Sequence, residues 1–416
     1  MQRRHFLTAL SSLPAFAAAT PPEKITSISH VSLKGKRQST PGQDNQHQVQ
    51  ANHIYDELRP KPYRDNPQPL REANVAALYL TIKTAGGLEG LYGPVDSEAA
   101  VVIEAQLKPF LLGKDALAGE TLYDQMYRWN RHARSSHPLM AISAIDNCLW
   151  DLRGRYFKTP VYRLLGGPTR PSVEAYGSCL GFSVEPEAAA RKAAELKAQG
   201  YRNQKWFMAY GPGDGLPGLN KNVELVRVLR QAVGDDVQLM FDAYMGWSLD
   251  YAIAWAKQVE QFRPRWIEEA FPPDKLEAFA ELRKATSIPV AAGEHIYGRY
   301  EANRYLNARA LSVLQSDPEW CGGISELVKI CAVASLYDAQ VIPHGHSLHS
   351  AMHVVAAQSP ATCPMVEFLI TKMRSYYHFE KHQLTPVNGR IELPDRPGFG
   401  IEIDPAKVTA SAPFSA

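Results

Sequence analysis

Short apolar runs recur along the second half of the chain, and each closes on a residue that binds metals or handles protons. VQLMFDAY carries Asp242, PRWIEEAF carries Glu268 and Glu269, IPVAAGEH carries Glu294, LSVLQSDP carries Asp317, and AQVIPHGH carries His344 and His346. From Asp242 to Glu268, Glu294, Asp317 and His344 the steps are 26, 26, 23 and 27 residues. A strand, a helix and two short loops fill such a step. Parallel β/α units place every strand's C-terminal end on one face, so these side chains are predicted to converge on one mouth. Upstream, SVEAYGSCL and YRNQKWFMAY read as two more strands, and downstream MVEFLI reads as an eighth. Helical patterns stopped by Gly200 and Gly234 follow the first two. Eight strands with right-handed crossovers close a barrel.

The first 165 residues follow a different pattern. KITSISHVSL (24–33) alternates as a strand, and ALYLTIKTAGGLEGLYGPV reads as a hairpin turning at Gly86-Gly87. Between them, residues 34–72 are polar and carry Pro41, Pro60, Pro62, Pro67 and Pro69, a long irregular stretch suited to a lid. SEAAVVIEAQLKPFLLG, TLYDQMYRWNRHA and PLMAISAIDNCLWDLRGRYF have the helical period. The expected fold class is α/β, a (β/α)7β TIM-like barrel with an α+β N-terminal capping domain. The expected divisions are 20–165 for the cap, 166–385 for the barrel and 386–416 for a segment returning to the cap.

Composition narrows the function classes. With 45% hydrophobic residues, 21% charged and a net charge of +2, the chain is globular and has no basic stripe for nucleic acid. No uninterrupted apolar stretch of about 18 residues predicts a membrane span. At the start, MQRRHFLTALSSLPAFAAAT places Arg3 and Arg4 before an apolar run. This predicts a twin-arginine-like export signal over residues 1–19 and a periplasmic location. Five scattered cysteines without CxxC spacing exclude a disulfide framework or zinc ribbon and read as packing residues.

The recurring acids carry the chemistry. Asp242, Glu268 and Glu294 lie at successive strand ends, and three hard oxygen donors suit Mg²⁺. Strand alternation forbids Glu268 and Glu269 from both facing the mouth, so Glu268 is chosen as the ligand and Glu269 is placed behind it. Asp317 and His344 sit at adjacent strand ends, where a carboxylate fixes the imidazole tautomer and raises its basicity. Lys205 on strand two is placed to stabilise an enolate oxygen. Glu367 would enter from strand eight as an acid or hydrogen-bond donor, and His295 adjoins the ligand Glu294. The GPGDGLPG loop (211–218) matches neither GxGxxG nor a Walker sequence and is read as an ordinary barrel loop.

These segments, with AISAIDNCLWDLRGRYFKTPVYRLLGG and SDPEWCGG, resemble the enolase superfamily and its mandelate racemase-like subgroup. The resemblance spans nearly the whole chain after the first 19 residues. It implies Mg²⁺ on Asp242, Glu268 and Glu294, and an acid/base dyad of Asp317 and His344. Members with a second base carry Lys-x-Lys on strand two, but here the segment is Lys205-Trp206-Phe207, which argues against racemisation. The KWF segment, the GPGDG loop, DAYMGW and GEH look most like the acid-sugar dehydratases of that subgroup. The implied reaction is removal of the C2 proton of an acid sugar by His344 and syn loss of the 3-OH, with His295 assisting the leaving group. The implied partner is a small acid sugar, and a homo-oligomer is common in the family. The rivals are epimerisation, racemisation or cycloisomerisation on the same scaffold, and an exported sugar-acid binder without chemistry. Arg59, Tyr63 and Arg64 in the capping loop are candidates to read distal hydroxyls.

Overall fold

The computed structural model describes residues 22–39, 44–64 and 66–414. The chain opens with an antiparallel meander of β1 (Ile25–Gln38), β2 (Glu72–Thr84) and β3 (Glu89–Tyr92). Alternation in β1 buries Ile28 and His30 on one face. A helical layer covers that face, and its longest member runs from Ser136 to Tyr156.

The second region is a curled parallel sheet. Its strands are β4 (Ser172–Ser178), β5 (Asn203–Phe207), β6 (Gln238–Asp242), β7 (Trp266–Glu268), β8 (Val290–Ala292), β9 (Val313–Leu314), β10 (Gln340–Val341) and β11 (Met365–Leu369). Their order is β10-β9-β8-β7-β6-β5-β4-β11, each parallel to its neighbour. The Val341 N–H donates to the Thr362 carbonyl at 2.7 Å, which ties β10 to the approach to β11. This is the expected TIM-like barrel with its cap. A buried cluster of Tyr176, Met240, Trp266, Ala291, Val313, Ile342 and Met365 fills the barrel interior. Seven of the eight strands, or the residue just after one, supply these side chains. In register with Met240, β5 contributes Lys205, a buried ammonium in an otherwise largely apolar layer.

The tail joins both regions. After the barrel, β12 (Arg390–Glu392) pairs with β4, and β13 (Ala410–Pro413) pairs with β1 of the cap. A second junction lies where the helix Ser136–Tyr156 meets the N-terminus of the barrel helix Gly323–Ser335. There the Ser325 N–H donates to Asp146 at 2.9 Å and the Ile324 N–H donates to Asn147 at 3.1 Å. A helix N-terminus has unpaired N–H groups and partial positive charge, and the cap supplies the acceptors. Gly323 makes this approach possible: it has φ +81°, and a Cβ there would lie 2.5 Å from Asp146 Oδ2. The five cysteines are all buried and free.

Candidate active site

Asp317 and His344 come together at 2.9 Å through Oδ2 and Nδ1. The same Asp317 oxygen accepts the His346 N–H at 2.9 Å, and its other oxygen accepts the Glu319 N–H at 2.7 Å. With Nδ1–H donating to Asp317, the Nε2 lone pair of His344 is left for proton transfer. Burial opposes charging of His344, but Glu294, Asp317 and Glu367 overcome it and push its pKa up to about 9. Its Nε2 faces Glu294 Oε2 at 3.3 Å. A cation on Glu294 would weaken the field that keeps this imidazole protonated.

Beside the dyad lies a buried acidic cluster. Lys205 Nζ pairs with Glu268, with Glu367 at 2.9 Å and with Asp242 at 3.2 Å. The second oxygen of Glu268 accepts the Trp266 indole N–H at 2.8 Å. Burial raises Asp242 to about 6, Glu268 to about 8 and Glu294 to about 7. Lys205 opposes the rise at the first two and His344 at the third, while neighbouring carboxylates add to it. Raised values at three adjacent buried acids mean that the positive charge present is insufficient. A divalent cation with a preference for hard oxygen donors fits this set. The turn that presents Glu294 depends on Gly293, whose φ is +142° and whose Cβ would meet the Gln315 nitrogen at 2.7 Å.

Two expectations change. Strand β7 ends at Glu268, and Glu269 adopts φ +42°. Alternation ends with the strand, so Glu269 turns inward and is buried instead of standing behind Glu268. Its carboxylate pairs with His295 Nδ1 at 3.0 Å, and His295 lies 3.6 Å from Glu294. Ligand atoms of Glu269, Glu294 and His295 all fall within 4.8 Å of one another. Glu367 accepts the Gly345 N–H at 2.9 Å. Burial raises its pKa, but Lys205 and His344 hold it at about 2, an ionised acceptor rather than the expected acid.

The structure adds residues that sequence spacing left out. Trp320 lies against the imidazoles of His344 and His295, with ring centroids 5.0 and 5.7 Å away. It was visible only as part of a motif. His346 stood among four closely spaced histidines with nothing to single it out. Lys372 follows strand eight, and its Nζ reaches His346 Nδ1 at 2.6 Å. The irregular segment before β2 packs on the loops after β4 and β5, where the Gln46 N–H donates to the Gly181 carbonyl and the Val49 N–H to the Met208 carbonyl. Arg59 lines a cavity of about 270 Å³ with His53, Tyr210 and Asp214, and is paired with Asp56 at 3.0 Å. Tyr63 and Arg64 line a neighbouring cleft. The GPGDG loop turns directly into the helix Gly215–Val233.

A strand-eight barrel with carboxylates, an ammonium and an Asp–His dyad at one mouth defines a metal-assisted carbon-acid enzyme. Comparison makes this specific. Residues 57–166 match the mandelate racemase / muconate lactonizing enzyme N-terminal domain, and residues 188–407 match the enolase C-terminal domain-like family. The chain therefore belongs to the mandelate racemase / muconate lactonizing enzyme family of the enolase superfamily. It is 32% identical over 353 residues to the L-rhamnonate dehydratase of Saccharopolyspora erythraea, covering 82% of this chain and 87% of that protein. The L-rhamnonate dehydratase from Gibberella zeae superposes with a TM-score of 0.80 at 28% identity, covering 95% and 98% of the two chains. In its complex with Mg the TM-score is 0.78 at 28% identity, covering 93% and 96%. The 3,6-anhydro-D-galactonate cycloisomerase from Zobellia galactanivorans gives 0.73 at 28% identity, covering 92% and 98%. Mg²⁺ is the cofactor these relatives support.

The expectation of a periplasmic protein is corrected: the dehydratase relatives that the chain matches give it no support. An arginine pair before a short apolar run is a weak signal that ordinary N-terminal segments share. Residues 1–19 lie outside the described residues. No helix among the described residues is long and apolar enough to cross a membrane.

Proposed function

We propose that this chain dehydrates an acid sugar to a 2-keto-3-deoxy acid, with Mg²⁺ held by Asp242, Glu268 and Glu294. It is a carbon–oxygen lyase, and the dehydratase relatives support the hydro-lyase class. The observation that carries the reading is the Asp317–His344 dyad, whose Nε2 faces the same mouth as the carboxylates and Lys205. When bound, Mg²⁺ supplies Lewis-acid stabilisation of the negative charge that develops on the substrate carboxylate. His344 Nε2 takes the C2 proton, and Asp317 stabilises the imidazolium through Nδ1. Lys205 meets the growing oxyanion charge; donors of this kind are worth about 3 kcal/mol, roughly a hundredfold in rate. The proton on His344 then passes to the departing 3-OH, which requires syn elimination. In this reading His295, held by Glu269, assists the leaving group.

Phe207 supports dehydration over a two-base reaction. It lies two residues after Lys205 on β5, so both project to one face, and it is buried with its ring near Lys205 Nζ. An apolar ring there offers no group to reprotonate C2 from the opposite side. The test is a panel of mono- and diacid sugars incubated with enzyme and Mg²⁺ in D₂O and followed by proton NMR. A new 3-deoxy methylene signal is expected from one acid. Loss of only the C2 proton signal would replace dehydration by epimerisation or racemisation. His344→Asn should abolish turnover while Mg²⁺ still binds; an active variant would remove His344 from the mechanism.

A further inference from the structure

Asp96 follows β3 in the cap and directly precedes the helix Ser97–Val102, yet both of its carboxylate oxygens are spent on the barrel. Oδ2 accepts the Trp320 indole N–H at 3.1 Å, and Oδ1 lies 3.1 Å from His346 Nε2. The tautomer of His346 follows from its other neighbour. Lys372 Nζ is 2.6 Å from His346 Nδ1, and an ammonium can only donate. Nδ1 therefore carries the lone pair, and Nε2 carries the hydrogen that points at Asp96. The Tyr376 hydroxyl, 2.9 Å from the same Nε2, gives its own hydrogen to the Pro94 carbonyl at 3.1 Å. With both ring nitrogens engaged, His346 is a fixed strut and not a second base. Burial, the largest influence on it, also disfavours its charged form.

Two routes lead from Asp96 to the reacting imidazole. Through the indole, it fixes the plane of Trp320, which lies 25° from the His344 ring at a centroid distance of 5.0 Å. Through His346, it steadies the segment whose N–H holds Asp317 Oδ2, the oxygen that orients His344. The cap also grips the loop that carries Asp317 and Trp320, where Asn147 Nδ2 donates to the Pro318 carbonyl at 2.9 Å and Asp146 caps the helix from Gly323. We infer that Asp96 is a positioning residue for His344, acting through Trp320 and His346, so that the base is aligned only when the cap sits on the barrel. This inference rests on the reading of His344 as the proton-transfer residue.

The test compares Asp96→Ala, Trp320→Phe and the double variant with the parent, all as full-length Mg²⁺-loaded enzyme. Trp320→Phe keeps an aromatic ring but removes the N–H together with part of the ring area that faces His344 and His346. Small displacements of a catalytic group cost up to about a hundredfold. Each single variant should therefore lose roughly 10- to 100-fold in kcat, with KM changed less than about threefold. Because the two side chains act as one unit, the double variant should fall no further than the worse single. A readout independent of turnover is the histidine side-chain ¹H–¹⁵N spectrum, in which the His344 ring signals should shift alike in both single variants while Mg²⁺ affinity by calorimetry holds. An unmoved His344 signal, or a kcat loss that only tracks the unfolded fraction, overturns the inference. Should Asp96→Ala fail to fold, Trp320→Phe decides alone. Should no acid sugar turn over, the dehydratase reading fails, and the ring spectrum still judges this inference.

Discussion

Between pH 6.5 and 8 the metal-free protein should lose stability as pH rises, and Mg²⁺ should reverse the loss. Burial pushes Glu268 to about 8 and Glu294 to about 7, against 4.5 for an unperturbed glutamate. Folded protein therefore retains protons that the unfolded chain has released by pH 6.5, and stability falls wherever the folded state holds more protons. His344 acts in the same direction. Raised from 6.5 to about 9, it contributes stability that is complete below pH 6.5 and is lost as pH climbs through 9. Of the groups that act the other way, His353, with a folded pKa of about 3, and Glu367, at about 2, exert most of their effect below pH 6.5 and pH 4.5, while the histidines and Lys372 lowered by burial offset part of the loss. One retained proton is worth about 1.4 kcal/mol per pH unit, or ~2 kcal/mol across the window. These groups share one cluster, so one to two effective protons give about 2–4 kcal/mol. Mg²⁺ needs ionised ligands and displaces the protons, and at a hundredfold excess over its Kd it adds ~2.7 kcal/mol. Urea denaturation read by tryptophan fluorescence, at both pH values with EDTA or MgCl₂, measures each arm. A chelated protein whose midpoint stays flat or rises with pH would refute the reasoning.

Three other outcomes follow from the same geometry. Lys205→Met strands Asp242, Glu268 and Glu367 without their shared ammonium; breaking a buried ion pair costs about 3–5 kcal/mol, so metal-free stability should drop by that order in urea titrations while added Mg²⁺ restores part of it. Gly323→Ala must hold φ +81° and place its Cβ 2.5 Å from Asp146 Oδ2, which should lower stability by roughly 2 kcal/mol or more and appear as a lower thermal midpoint. His353 is fully buried, accepts the Tyr162 N–H at 3.0 Å, and is held by burial at about 3. Stability should therefore fall as pH drops from 6.5 toward 3, by up to ~4 kcal/mol. His353→Phe should lose about 1–3 kcal/mol at pH 7 from the unpaired Tyr162 N–H and show a flatter acid limb in the same titration.

How far the site could be read from sequence depends on how each side chain is aimed. Asp242, Glu268, Glu294, Asp317 and His344 were legible because the β/α period alone brings strand ends together, and apolar runs mark those ends whatever fills the loops. Glu269 escapes the alternation rule because β7 ends one residue before it. Its backbone is left-handed at φ +42°, a conformation uncommon for a non-glycine residue, and nothing in WIEEA announces it. Asp96 and Lys372 were invisible for another reason. Each is an ordinary charged residue beside a loop, and its meaning lies in partners far along the chain: Trp320 is 224 residues from Asp96 and His346 is 250. Periodicity encodes which face a residue takes within its own unit. It does not encode how the cap is set on the barrel, which is decided by contacts such as Asp146 and Asn147 at the start of the Gly323–Ser335 helix. Those residues lie in AISAIDNCLW, a segment that carried the family resemblance. Its acidic and amide side chains serve the docking of cap on barrel, and through the loop that bears Trp320 that docking reaches the imidazole at the centre of the proposed chemistry.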